Sequence, residues 1–168
     1  KDILDKLSTY NIFNFLLPGI LFAAIGDTIS SYKLVQDDLV VGVFFYYFIG
    51  LVISRVGSVV VQPLYEKLCI VEFGEYSDFV EASRRDEKLL ILNEDNNMFR
   101  TMIALFFLLL GLMMLDAVLV NAAEGVKAWV LPGALFALVI LFSVSYRKQM
   151  TYIAERIRTE NNRSNTGS

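Results

Sequence analysis

Three charged residues lie inside or at the ends of long apolar stretches, where a charge is costly and is therefore a candidate for a structural or functional role. Arg55 interrupts the stretch YYFIGLVISRVGSVVV, and Asp27 and Asp116 fall toward the ends of two others. An arginine at membrane depth costs at least about 2.5 kcal/mol on insertion scales unless it pairs or reaches the interface. Arg55 is therefore either a structural ion pair or snorkelling side chain, or it lines a pore. The two aspartates either line a cation entrance or reach lipid headgroups.

The residue types present argue against enzyme chemistry and metal binding. The 168-residue chain has no histidine and a single cysteine, Cys69, which excludes His-based catalysis and a disulfide within the chain. It carries no phosphate-binding glycine loop and no dinucleotide fingerprint. Its net charge of −3 argues against direct nucleic-acid binding. We expect no enzyme, no catalytic residue, no cofactor and no metal. Cys69 is a small apolar filler, or else a palmitoylated or reactive thiol.

The apolar residues gather into four stretches separated by polar ones. Hydrophobic residues make up 55% of the chain, and a membrane-spanning helix needs about 20 in succession. The pattern predicts an all-α, polytopic membrane protein with four transmembrane helices at 12–29, 39–61, 101–120 and 128–146. The first is the weakest because Pro18, Gly26 and Asp27 interrupt it. That helix either crosses the bilayer fully or lies partly at its interface.

The basic residues fall almost entirely on one side of these spans. The opposite loops hold only Lys33 and Lys127, whereas the side of the two chain ends holds Lys1, Lys6, Lys67, Arg84, Arg85, Lys88, Arg100, Arg147, Lys148, Arg156, Arg158 and Arg163. The positive-inside rule places both termini and the 63–99 segment in the cytoplasm. We expect a multi-pass membrane protein, with the lipid bilayer as its first partner and no outer ligand-binding domain.

Small residues form a stripe along the second span. Gly50 and Ser54 are four residues apart, and Gly57 and Ser58 follow three and four residues later. Small side chains at this spacing let membrane helices approach closely. The stripe predicts a helix-packing or homo-oligomer contact.

The chain divides into four segments. A first transmembrane pair occupies 1–62, a mainly helical cytoplasmic segment 63–99, a second transmembrane pair 100–146, and a cytoplasmic helical tail 147–168, whose end we expect to be disordered or non-native. The segment from Ser77 lacks Pro and Gly, so it predicts one helix entering the third span, with a break near 93–97. The spacing of Tyr146, Met150, Ile153 and Ile157 predicts a tail face that packs on this helix.

The motif SRRDEK provides the candidate docking residues Arg84, Arg85 and Lys88. A charge mixture of this kind is either a solvated helix face with internal ion pairs or a surface for a cytosolic partner.

A Pro-Gly sequence occurs twice, in LPGILFAAI at 17–25 and LPGALFALV at 131–139. Pro18 falls well inside the first span, where proline removes a helix hydrogen bond and favours a bend. Pro18 and Gly19 therefore predict a hinge, whereas Pro132 is expected in a first helical turn. An inverted repeat is the alternative explanation of the pair.

The sequences YFIGLVISRVGSVVVQPLYEK and YSDFVEASRRDEKLLILNEDNNMFR, together with the LPG-containing first span, cover most of the chain. In the arrangement of its spans and in the composition of these sequences, the chain resembles the membrane subunits of the Kiwa antiphage defence system. The resemblance implies a bacterial inner-membrane homo-oligomer that senses phage attack at the envelope. It also implies a cytosolic, operon-encoded, DNA-binding partner, a KwaB-like subunit. It carries no functional residue over to this chain.

Three functions are compatible with these observations. The first is a non-enzymatic sensor or scaffold of a defence complex. The second is an oligomeric pore-forming effector that depolarises the membrane, built on Arg55, Asp27 and Asp116. The third is an accessory subunit of a transporter or of envelope assembly, since two short outer loops and the lack of a central charged pair argue against a self-contained transporter.

Overall fold

A computed structural model describes the backbone of residues 2–70, 76–86, 88–120 and 127–166, and the side chains of most residues from 13 onward within these ranges. Every regular element in these ranges is helical, which confirms the all-α prediction. The elements are α1 (Asp2–Ile29), α2 (Leu39–Val56), a π-helix (Gly57–Val61), α3 (Gln62–Lys67), α4 (Tyr76–Arg85), α5 (Lys88–Val120) and α6 (Lys127–Thr166).

Helix α1 begins ten residues before the first predicted span and continues through Pro18 without a break. Helix α2 begins after Asp38, whose carboxylate accepts a hydrogen bond from the Val41 amide, the usual N-cap arrangement. It then continues through the π-helix into α3, so a single helical rod extends beyond the predicted end of the second span.

Helix α3 ends in a Schellman motif centred on Cys69. The Cys69 amide donates to the Glu66 carbonyl at 3.0 Å, and the Ile70 amide donates to the Tyr65 carbonyl at 2.9 Å. This motif requires the left-handed conformation at Cys69, which has φ 52°. A cysteine therefore occupies a position that usually belongs to glycine.

The predicted helix from Ser77 into the third span is two helices. Helix α4 ends at Arg85 and α5 begins at Lys88, so the break lies earlier than the predicted 93–97, which is helical. Asp86 explains the position of the break, because its carboxylate accepts from the Lys88 amide at 3.1 Å and caps α5. Pro132 also differs from expectation, since it lies in the second turn of α6 as described.

Helix α5 is the centre of the fold and packs against α1, α2, α4 and α6. Its fully buried side chains include Leu89, Ile103, Leu105 and Leu109. Tyr146, Met150, Ile153 and Ile157 of α6 are all buried, as their spacing predicted, and they belong to the same core. The first part of α5 (88–100), α4 and the second part of α6 (146–159) form what we call the basal layer.

Two helical rods of the described residues, Leu39–Lys67 and Lys88–Ala117, are long and apolar enough to cross a membrane. Phe13–Ile29 is a shorter apolar helix. Only 17% of the most apolar window of Leu39–Lys67 is buried, whereas the core helix of a soluble protein is mostly buried. Large apolar side chains face outward along α2, among them Leu39, Val40, Phe44, Phe48 and Val52. Exposed apolar surface of this extent marks contact with lipid or with another protein.

Candidate functional site: a buried polar cluster above the basal layer

The candidate site is a group of polar side chains where the apolar helices meet the basal layer. We call it the polar cluster, and it consists of Gln62, Tyr65, Asn96, Arg100, Ser143 and Tyr146. The π-helix positions the first two. In an α-helix of 3.6 residues per turn, residues spaced four apart gradually rotate away from a common face. The wider turn of the π-helix keeps Gly57, Val61 and Tyr65, which have this spacing, buried on one face.

Within the described residues, Arg100 is connected to a carboxylate through the side-chain amide of Gln62. Its guanidinium Nη1 donates to Gln62 Oε1, and Gln62 Nε2 donates in turn to Glu66 Oε1 at 3.1 Å. Arg100 has no acidic side chain within ion-pair distance among the described residues. The positive charge is therefore held by a neutral hydrogen-bond partner, which makes Gln62 a component of the site.

Two tyrosines with different hydrogen bonding lie side by side. The rings of Tyr65 and Tyr146 pack edge to face with their centroids 6.0 Å apart. Ser143 Oγ donates to the Val139 carbonyl at 2.6 Å, so the Tyr65 hydroxyl donates to Ser143. The Tyr146 hydroxyl is buried and, within the described residues, makes no hydrogen bond of good geometry, although the side chains of Asn96 and Arg100 lie within interaction distance of it.

Within the described part of the chain, three buried polar atoms of the cluster lack a hydrogen bond of good geometry, namely Asn96 Oδ1, Arg100 Nε and Tyr146 Oη. An unsatisfied buried polar group costs about 1–3 kcal/mol, and native proteins contain few of them. Three such atoms together mark a place where the packing of α5 against α6 leaves hydrogen-bonding capacity unused.

Further contacts join the helices of the basal layer. Asp86 caps α5 with Oδ1 and pairs with Arg156 of α6 through Oδ2. The hydrogen bond from Arg156 holds the pKa of the Asp86 carboxyl below its ordinary value. Asn96 Nδ2 lies 2.9 Å from Met150 Sδ, and Gln149 Nε2 lies 3.4 Å from the Leu92 carbonyl. The tail therefore packs on the preceding helices, as the sequence predicted.

The predicted small-residue stripe makes contacts inside this chain. A Cβ added to Gly50 would overlap the backbone of Phe15 in α1, and one added to Gly57 would lie 3.3 Å from the Arg100 carbonyl oxygen in α5. Ser54 and Ser58 are half-buried beside them. Pro18 and Gly19, the predicted hinge, are buried where α1 crosses α2.

The three charged residues of the apolar stretches are not brought together. Arg55 is exposed on α2. Asp27 Oδ1 accepts from the Leu34 amide at 2.7 Å and the Val35 amide at 3.1 Å, and Asp116 Oδ1 accepts from the Ser31 amide at 2.9 Å. Both carboxylates therefore anchor the loop between α1 and α2, a structural role that the sequence-based alternatives did not include.

The predicted docking residues lie at the junction of α4 and α5. Arg84, Arg85 and Lys88 are exposed, and Arg85 pairs with Glu81 one turn earlier. Among the described residues, no group of three His, Cys, Asp or Glu side chains is placed to hold a metal ion.

Sequence reasoning missed the roles of Arg100, Gln62 and Asp86. Arg100 entered the prediction only as one of the basic residues that orient the spans. Its position directly before the third apolar stretch is the sequence signal for a further role. Asp86 precedes the apolar sequence LLIL, a pattern that marks a helix N-cap.

Comparison of the chain with protein-family models, with curated proteins and with solved structures gives no match.

Proposed function

We propose that this chain is a non-enzymatic sensor or scaffold subunit of an antiphage defence complex in a bacterial inner membrane. In this proposal four helices cross the membrane, at 12–29, 39–61, 101–120 and 128–146, and both termini lie in the cytoplasm. One observation carries the proposal. Helices α5 and α6 each run without interruption from an apolar stretch into the basal layer, where they are packed together.

Continuous helices move as rigid rods, so a shift at the apolar end is passed to the basal end. The polar cluster lies where these rods leave the apolar part, and its three unpartnered atoms provide an alternative set of hydrogen bonds. A sensor needs two arrangements of comparable free energy. The cluster supplies a local reason for the two arrangements to be close in energy.

The output of such a subunit is a change in a partner bound to the basal layer. Arg84, Arg85 and Lys88 form an exposed basic group at the α4–α5 junction, next to the Asp86–Arg156 pair that joins the layer. The resemblance to Kiwa membrane subunits suggests a cytosolic, KwaB-like, operon-encoded partner. Homo-oligomerisation through the outward face of α2 is part of the same proposal.

The first experiment tests topology. Single cysteines are introduced at residue 33 and at residue 148 in a Cys69→Ser background, and intact cells are treated with a membrane-impermeant thiol reagent. We expect labelling at residue 33 only. Labelling at residue 148 in intact cells contradicts the cytoplasmic location of the tail.

The second experiment tests the partner. The chain is purified from cells that express the neighbouring genes, and charge reversal of Arg84, Arg85 and Lys88 to Glu is compared with Lys33→Glu. We expect the triple variant to lose a co-purifying cytosolic protein while the Lys33 variant keeps it. If both retain the same protein, this docking surface is wrong, and if neither the wild type nor a variant retains one, the scaffold proposal fails.

A pore-forming effector is the second candidate because Arg55 is exposed on an apolar helix. An exposed arginine at membrane depth needs water, a headgroup or a subunit contact. Ion flux from liposomes that Arg55→Ala abolishes would favour this candidate over the scaffold.

A further inference from the structure

A cavity of about 270 Å³ opens between α6 and the turn that ends α3. Its walls include Ile70 on one side and Arg147, Thr151 and Arg158 on the other. These three α6 residues follow one another at spacings of four and seven, so they lie on one helix face. Arg147 and Arg158 are exposed, and neither forms an ion pair within the part of the chain that the structure describes.

A shallower cavity of about 430 Å³ lies on the neighbouring side of α6. It is lined by Val144, Lys148 and Tyr152, and it shares Arg147 with the first cavity. Glu155 lines both cavities. Among the described residues that line the two cavities, three side chains are cationic and one is a carboxylate.

The apolar surface of α6 begins directly beside these cations. Ile140, Leu141 and Val144 are large and exposed, and they precede Arg147 by seven, six and three residues. Tyr152 is 47% exposed on the same segment, and tyrosine is enriched at membrane interfaces. An apolar wall next to a basic floor matches a molecule with an acyl chain and a phosphate.

We propose that these cavities form a binding site for the headgroup of an anionic phospholipid, with Arg147 and Arg158 contacting the phosphate. Lys148 adds charge from the neighbouring cavity, and the acyl chains cover Ile140, Leu141 and Val144. Basic pockets at the cytoplasmic ends of membrane helices are suited to acidic headgroups. The inference rests on the proposed membrane insertion and adds a lipid preference to it.

The test is native mass spectrometry of the purified full chain in detergent, with phosphatidylglycerol or the zwitterionic phosphatidylethanolamine added. We expect selective retention of phosphatidylglycerol. Replacing Arg147 and Arg158 by Gln should weaken retention by about thirtyfold, since each basic residue near an anionic surface contributes on the order of 1 kcal/mol and two are removed. The matched control is Lys33→Gln with Lys67→Gln, which removes two positive charges outside both cavities.

Each other outcome overturns a stated part of the inference. Equal loss in the two double variants means that overall charge, not this site, retains the lipid. Displacement of the lipid by millimolar inorganic phosphate means that the site takes soluble anions.

Arg147→Lys with Arg158→Lys should keep most of the binding, and a monodisperse elution profile shows that the Gln variant is folded. A chain that is absent from the membrane fraction overturns the proposed function, whereas a membrane-inserted chain without lipid preference overturns only the inference.

Discussion

Gly19 of α1 and Gly50 of α2 bring the two helix backbones into direct contact. A Cβ at Gly19 would overlap the Tyr46 carbonyl and lie 3.0 Å from the Gly50 amide nitrogen, and a Cβ at Gly50 would overlap the Phe15 carbonyl. Glycine is required at both positions because any side chain would separate the helices. Close approach of this kind is how membrane helices gain packing energy without a hydrophobic driving force.

We predict that Gly50→Ala destabilises the protein by about 1–3 kcal/mol, the usual cost of overpacking, because its methyl group would meet the backbone of α1. Gly111→Ala is the matched control, since nothing lies within 4 Å of a Cβ added there. The control should be neutral or gain up to about 1 kcal/mol from helix propensity. Thermal unfolding in detergent measures both. Equal effects in the two variants would show that the α1–α2 contact is not as close as described.

The left-handed conformation of Cys69 gives a second prediction. A residue with a Cβ costs about 1–2 kcal/mol in this conformation, and glycine avoids the cost. Cys69→Gly should therefore stabilise the protein by about 1 kcal/mol. The greater conformational freedom of glycine in the unfolded chain reduces this gain. The thermal midpoint in detergent checks the sign.

Cys69→Ala separates the conformational effect from the loss of the thiol. Alanine keeps the strained conformation and removes only the sulfur, which is exposed, so this variant should be close to neutral. A stabilisation of the same size in both variants would locate the effect in the thiol.

Regular spacing made much of the fold predictable. The all-helical class, the continuation of the last apolar helix into a polar tail and the buried face of that tail all follow from apolar residues at helical intervals. Four membrane spans, the cytoplasmic termini and the docking surface remain predictions, because they depend on a bilayer and a partner.

The polar cluster was not predictable for a physical reason. It depends on the π-helix at Gly57–Val61, and no residue pattern distinguishes that segment from ordinary helix. Gln62 and Arg100 are 38 residues apart, so their hydrogen bond depends on how α3 meets α5. The roles of Asp27 and Asp116 were missed similarly, since backbone amides of a nearby loop are their partners.

The Asp86–Arg156 pair predicts a pH dependence of the basal layer. The Asp86 pKa is lowered in the folded state from an ordinary value of 3.8, mainly by the hydrogen bond from Arg156. Its stabilisation is therefore fully present above about pH 4 and is lost as the pH falls through the folded-state pKa. Asp86→Asn keeps an N-cap residue and removes the charge. We expect this variant to be less stable than the wild type at pH 7, and the difference in stability to decrease as the pH falls below about 4.

Unfolding midpoints of both proteins measured from pH 7 to pH 3 test this prediction. Asp37→Asn is the control, because Asp37 forms an exposed pair with Lys33 and contributes little. A wild-type advantage over Asp86→Asn that persists unchanged at pH 3 would mean that the charge of Asp86 is not its source.

The two tyrosines of the polar cluster should respond oppositely to the loss of a hydroxyl. Tyr65→Phe removes the donor to Ser143 and should cost about 1 kcal/mol, a typical net value for a hydrogen bond. Tyr146→Phe removes a buried hydroxyl that makes no hydrogen bond of good geometry with the described residues, so it should be neutral or stabilising by up to about 3 kcal/mol. The rings are in contact and the two substitutions are chemically identical, so each variant is the control for the other.

A clear destabilisation by Tyr146→Phe in thermal unfolding would show that Asn96 or Arg100 engages this hydroxyl in the resting protein. That result would remove the unused hydrogen-bonding capacity on which the proposed rearrangement of α5 and α6 depends.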